Sequence, residues 1–278
     1  MENLTEKDRA AQLDAFNKLI GILHELRNKC PWDQEQTMSS LRPLTIEETF
    51  ELSEAILAED IAGIKEELGD LLLHILLYAR IAAENNEFTL TECIETLCNK
   101  LIRRHPHIFQ KEHAHTVVNS EDVKKNWQRI KLEEKSRDSI LEGIPASLPS
   151  LIKAICIRDK ASSVGFRWET GKQAWEKVQE EVQELVEEVN NHSNTNPRQE
   201  QIEDEFGDVL ATLITYARFI NVDPDKALEK ANQKFIKRFQ QVEHQLRLDN
   251  KQLSQLSVEE LKAYWNQAKA WLKDSANK

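Results

Sequence analysis

The sequence predicts an all-α protein built as a tandem duplication, and three observations carry that reading. The chain of 278 residues holds only seven Gly and seven Pro, few for the turns of a β-rich fold. It is dense in Glu, Lys, Gln, Leu and Ala, which favour long helices. Residues 68–82 read LGDLLLHILLYARIA and residues 206–220 read FGDVLATLITYARFI, with Gly, Asp, Leu and Tyr-Ala-Arg in the same columns at an offset of 138. Three more landmarks flank that segment in the same order. Glu47-Glu48-x-x-Glu51 matches Glu180-Glu181-x-x-Glu184 at 133, Lys100-x-x-x-Arg104 matches Lys234-x-x-x-Arg238 at 134, and Trp127-x-x-x-Lys131 matches Trp265-x-x-x-Lys269 at 138. Near-constant spacing across four landmarks is the signature of duplication.

Each half reads as a lead-in helix, a Glu-rich helix, a short turn, an apolar helix and one or two closing helices. In the first lead-in, Leu13, Phe16, Leu19, Ile20 and Leu23 have helical spacing and form the expected core face. The turn falls at Glu59–Gly63. Leu71 to Ala83 is apolar nearly all round, as a buried central helix is, and its full burial calls for a second copy, from the other half or from another chain. Gly143, Pro145 and Pro149 interrupt the pattern and place a linker at about 136–149, between repeats spanning 1–140 and 150–278. The polar stretch Asn190 to Gln199 reads as a loop inserted in the second copy.

Composition excludes several classes of function. A formal net charge of −11 argues against broad contact with nucleic-acid backbones. No apolar run approaches the ~20 residues that cross a bilayer, and the polar start carries no apolar signal core. Cys30, Cys93, Cys98 and Cys156 show no zinc-ligand spacing. The expected location is the cytoplasm, with neither membrane nor nucleic acid as partner.

The chemistry lies in the carboxylates. Glu48 and Glu51 share a helix face, as do Glu67 and Asp70 on the next helix; an antiparallel hairpin brings all four together. Glu181, Glu184, Glu205 and Asp208 repeat the set. Acidic residues at helical spacing usually form a solvated face. Here Asp70 and Asp208 open the most apolar helix of each half, where an unpaired carboxylate is expensive to bury. Gly69 and Gly207 beside them permit close approach of another group, and the whole set occurs twice. Clustered carboxylates repel, so a proton or a cation must compensate. An all-oxygen donor set suits Mg²⁺, with Mn²⁺ as substitute. Di-iron would want two inward Glu-x-x-His strings; Glu112-x-x-His115 stands alone, in a polar segment. His105 and His107 flank Pro106 and read as a helix terminus, and His74 is replaced by Thr212 in the second copy. Lys100/Arg104 and Lys234/Arg238 can clamp phosphate oxygens, while Trp127/Lys131 and Trp265/Lys269 offer a stacking face and a further charge. No P-loop string is present.

Taken together, Cys30-Pro31-Trp32-Asp33-x-x-Gln36-Thr37, Glu47-Glu48-x-x-Glu51, Glu67-Leu68-Gly69-Asp70-Leu71-Leu72 and Lys100-x-x-Arg103-Arg104-His105-Pro106-His107 resemble the MazG nucleotide pyrophosphohydrolases, over nearly the whole chain. The resemblance implies a helical NTP pyrophosphatase bundle completed by homodimerisation. It also implies Mg²⁺-dependent cleavage of nucleoside triphosphates to monophosphate and pyrophosphate, with the C-terminal repeat as main catalytic unit. Matched motif to motif, it implies metal ligands at Glu181, Glu184, Glu205 and Asp208, and nucleotide contacts at Lys177, Glu180, Lys234, Arg238, Trp265 and Lys269. Glu180 or Glu181 is the candidate general base. A protein that binds nucleotide without hydrolysing it, as a regulator or scaffold, is the alternative.

Overall fold

The structure is a computed structural model that describes residues 5–110, 123, 126–127, 130, 139–193 and 195–275. Its elements are α1 (Glu6–Lys29), α2 (Pro31–Glu35), α3 (Met38–Leu57), α4 (Ile61–Glu84), α5 (Leu90–Arg104), α6 (Pro106–Phe109), α7 (Ser150–Ser163), α8 (Gly171–Asn191), α9 (Gln199–Phe219), α10 (Pro224–Leu248) and α11 (Val258–Ser275), with a 3₁₀ turn at Leu253–Gln255. Among the described residues there is no strand, only an isolated bridge between Ser193 and Asn196. None of the described helices is long and apolar enough to cross a membrane. Lys131 and the Glu112/His115 string lie outside the described residues. The chain divides into compact units 1–127 and 128–278.

In the first unit, the hairpin of α3 and α4 is the principal packing. Thr37 caps α3 with a reciprocal Thr37/Ser40 box, satisfying amides the helix start leaves free. The turn into α4 is held by Asp60, which accepts from the amides of Ala62 and Gly63, both at 3.1 Å. A Cβ on Gly63 would lie 2.8 Å from the Asp60 carboxylate, so glycine is what lets that cap close. Preceding it, Glu59 takes a φ of +57°, the left-handed geometry that ends helices.

The core of this unit is Leu23, Leu41, Leu76, Leu77 and Ile81, with Phe16, Leu19, Leu44 and Leu72 packed against it. Only part of the expected face of α1 is covered: Leu13 and Ile20 remain 55% and 38% exposed. Helix α1 meets α4 along a narrow seam of Phe16, Leu19 and Leu23, and the flanking positions fall outside it.

The second unit repeats the hairpin in α8 and α9, with α7 against α9. Thr170 caps α8 with the same kind of box, here with Gln173, at the offset of 133 that links it to Thr37. The inserted loop spans 192–198 and is clipped by an ion pair of Arg198 with Glu188. Asn86 and Asn221, which follow α4 and α9, have φ of +58° and +52°, so the repeat extends to the turn residues. Helices α10 and α11 form a further hairpin with its own small core of Val242, Leu246 and Ala268.

Candidate metal and nucleotide site

Helical spacing and the hairpin turn bring carboxylates together in both units. In the first, one oxygen from each of Glu48, Glu67 and Asp70 lies within 4.8 Å of the others; in the second, the group is Glu181, Glu184 and Glu205. A hard cation at about 2.1 Å from oxygen ligands needs oxygens about 3 to 4.2 Å apart, so both groups have suitable dimensions and donor chemistry. The expected fourth member differs between the copies. Glu51 stands beside Glu48 without joining its group, and Asp208 stands beside Glu205.

The two clusters relieve their repulsion by different means. In the first, burial, a hydrogen bond with Glu67 and the charges of Asp70 and Glu51 push Glu48 up to about 7. In the second, the ammonium of Lys177 bridges Glu180 and Glu181 at 2.8 Å each. Glu181 is only 6% exposed, which makes that charged partner necessary. At the same offset as the Glu motif, the first-repeat counterpart of Lys177 is Leu44. One copy therefore uses a proton where the other uses a lysine. Glu184 and Glu205 are still raised above the ordinary carboxylate value, by burial first and by repulsion from Glu181 second.

A stability consequence follows from Glu48. A carboxyl raised from 4.5 to about 7 stabilises the fold below its unfolded value, and that contribution is lost as pH rises through the folded one. With chelator present, the melting temperature is expected to fall between pH 4.5 and pH 7, and Glu48→Gln to flatten the fall. Identical pH profiles for the two proteins would overturn the coupling. The lowered carboxyls Glu84, Glu92 and Glu260 act in a separate window, below 4.5.

A cavity of about 780 Å³ adjoins the second cluster, lined in part by Lys177, Glu181 and Asp208. Its other walls come from α7, from the segment that joins α7 to α8, and from α9, through Arg158, Phe166, Trp168, Thr212, Thr215 and Arg218. None of these was singled out as a site residue from sequence. The signal available was Trp168-Glu169 before the capping Thr170, which echoes Trp32-Asp33 before Thr37.

The basic and aromatic pairs sit elsewhere. Arg238 lies over the ring of Trp265 at 5.9 Å and Arg104 over Trp127 at 5.4 Å, so that contact recurs with the repeat. The buried Nε of Arg238 has no hydrogen-bond partner among the described residues, and Lys234 and Lys269 are exposed. These residues belong to α10 and α11, and the cavity beside the carboxylates is not lined by them. Lys100 is half-buried on α5. His105 and His107 join no metal-sized group among the described residues; Pro106 between them starts the short α6. A Cβ on Gly69 or Gly207 would meet nothing within 4 Å, so the close approach expected there does not occur among the described residues.

Residues 36–109 and 169–243 each match the family model of the MazG nucleotide pyrophosphohydrolase domain. The chain is 40% identical over 258 residues to the nucleoside triphosphate pyrophosphohydrolase/pyrophosphatase MazG of Thermotoga maritima, across 91% of this chain and 95% of that protein. The nucleoside triphosphate pyrophosphohydrolase of Escherichia coli K12 is 36% identical over 263 residues, 92% of this chain and 98% of its own length. The uncharacterized protein YabN of Bacillus subtilis is 41% identical over 258 residues, which make up 51% of that longer protein. Two domain matches in tandem, and identity running along nearly the whole of two full-length relatives, show that the chain belongs to the MazG nucleotide pyrophosphohydrolase family.

Proposed function

We propose that the protein hydrolyses nucleoside triphosphates to the monophosphate and pyrophosphate, with Mg²⁺ held by the second repeat (150–278) as its main catalytic unit. The observation that carries this reading is that Glu181 belongs both to the carboxylate group and to the lining of the adjoining cavity. A cation site and a space for an organic ligand therefore share a residue. Glu181, Glu184 and Glu205, with Asp208 beside them, would hold the cation, which when bound supplies Lewis acidity to phosphate oxygens. Glu180 is exposed and outside the metal group; it takes the proton from the attacking water. Lys177, paired with Glu180 and Glu181, supplies positive charge beside the carboxylates and, with Lys234 and Arg238, balances phosphate charge.

The reading includes a homodimer in the cytoplasm. Val182, Val186 and Val189 on α8, and Phe206, Leu210 and Leu213 on α9, are each at least 40% exposed at helical spacing, which supports an unfilled packing face. Light scattering on the purified chain decides that part. For the reaction, each common NTP and dNTP is incubated with Mg²⁺ or with chelator and the products are separated. Monophosphate and pyrophosphate formed only with metal are expected. Diphosphate and phosphate would assign another chemistry, and binding without turnover would favour the regulatory alternative.

A further inference from the structure

We infer that Arg198 is a positioning residue for the cation site of the second repeat: by clamping Glu188 it keeps a further carboxylate from joining Glu184 and Glu205, and so confines the cation to the Glu181 end of the cluster. The inference rests on the reading above, in which this repeat holds the metal, and it concerns two residues outside the repeated motifs. Glu181, Glu184 and Glu188 follow one another at three and four residues, which puts them on one face of α8. Glu181 and Glu184 belong to the metal-sized group with Glu205, and Glu188 does not. Its charge nevertheless reaches that group: Glu205 is raised by burial first, then by the charges of Glu181, Asp208 and Glu188. The guanidinium of Arg198 holds Glu188 aside, its Nε and Nη2 each donating to one carboxylate oxygen, the latter at 2.8 Å. Such a fork fixes orientation as well as charge. Both side chains are partly buried, at 32% and 19% exposure, so solvent screens the pair little.

Arg198 also breaks a local rule. At the offset of 138 it takes the place of Asp60, and α9 begins at Gln199 where α4 begins at Ile61. Asp60 caps its helix by accepting from the amides of Ala62 and Gly63. Arg198 makes no side-chain cap to α9, and a cation is unfavourable at a helix N-terminus, where unpaired amides already carry positive charge. The start of α9 therefore lacks the cap that an aspartate supplies, while the guanidinium in its place reaches back across the loop to α8. At the offset of 133, Glu188 corresponds to Ala55. The extra carboxylate and the arginine that restrains it thus occur together, in the copy that has the 192–198 loop. A broken local rule with a compensating contact beside a carboxylate cluster marks a functional constraint.

The parent, Arg198→Met, Glu188→Gln and the double variant are each titrated with Mn²⁺, followed by the electron paramagnetic resonance of the free ion, and assayed for turnover. Arg198→Met releases Glu188 and is expected to bind an additional Mn²⁺, between Glu184, Glu188 and Glu205. Its kcat is expected to fall by at least about tenfold, the scale of losing a partner that orients a metal ligand. Glu188→Gln leaves the guanidinium unpaired beside the site and is expected to weaken Mn²⁺ binding by at least about tenfold, with the ion count unchanged. The double variant removes both charges and is expected to return to within about threefold of the parent in Mn²⁺ affinity and kcat.

A pair that only staples the loop would weaken Mn²⁺ binding in both single variants and not recover in the double one; that result would overturn the inference and leave the metal reading standing. An unchanged ion count in Arg198→Met would do the same. Should Arg198→Met fail to fold, the loss in Glu188→Gln and its recovery in the double variant decide the matter, and no recovery overturns the inference. A parent that binds no Mn²⁺, or binds it no better than Glu181→Gln does, would sink the metal reading and the inference with it.

Discussion

Glu181→Gln is expected to lower kcat/KM for nucleotide hydrolysis by at least about 100-fold, the scale of losing a charged group directed at a reacting centre. Glu181 is the most buried of its group and makes two kinds of contact at once, with the other carboxylates and with Lys177. Neutralising it removes a hard oxygen donor and leaves the ammonium leaning on the exposed Glu180 alone. The companion Glu48→Gln acts at the matching position of the first repeat. Its loss is expected to be at least about tenfold smaller, because the space adjoining that cluster is filled by side chains of the core. Steady-state kinetics on the two variants, with folding checked by circular dichroism, settle the comparison. Losses of equal size would mean that turnover is shared between repeats, and no loss in Glu181→Gln would remove the metal site from the mechanism.

Lys177→Leu carries the next largest effect. The substitution installs the residue that the first repeat has at the same place, so the helix is expected to tolerate it. Without the ammonium, Glu184, already raised by burial and by the charge of Glu181, loses the positive charge that holds it down, and its carboxyl moves further upward. A higher pKa means that the donor set stays protonated to higher pH, and a cation must then displace protons to bind. The acidic limb of kcat/KM against pH is expected to move to higher pH, with a loss of about 100-fold at pH 7. Glu48, which has no such lysine and sits at about 7, is the built-in precedent for the direction. An unshifted limb, with only KM raised, would show that Lys177 contacts substrate and has no influence on its neighbours.

What could be read in the sequence was whatever repeats at helical spacing. Glu48 with Glu51, and Glu67 with Asp70, announce a shared face because three residues nearly complete a turn, and doubling of the set lifts it above an ordinary solvated surface. The apolar run from Leu71 to Ala83 gave away the central helix for the same reason. Features that depend on what packs across the hairpin were not readable. Which three of four carboxylates draw closest is set by the approach of α3 to α4 and of α8 to α9, and differs between copies. The cavity is still harder to foresee, because its lining joins Thr212 and Thr215 of α9 to Arg158 of α7, more than fifty residues away in the chain. The partial cover of α1, with Leu13 exposed and Leu23 buried, follows from the width of one seam, and periodicity alone does not report that width.

The separate core of the α10–α11 hairpin has a consequence for folding cooperativity. Val242, Leu246 and Ala268 give this pair of helices its own opening equilibrium, set by local contacts and independent of the α8–α9 pair. Lys234, Arg238 and Trp265 ride on that unit, while the carboxylates ride on the other. A ligand held by both would join two foldons into one, so amide protons on α10 would exchange more slowly although the cation sits on different helices.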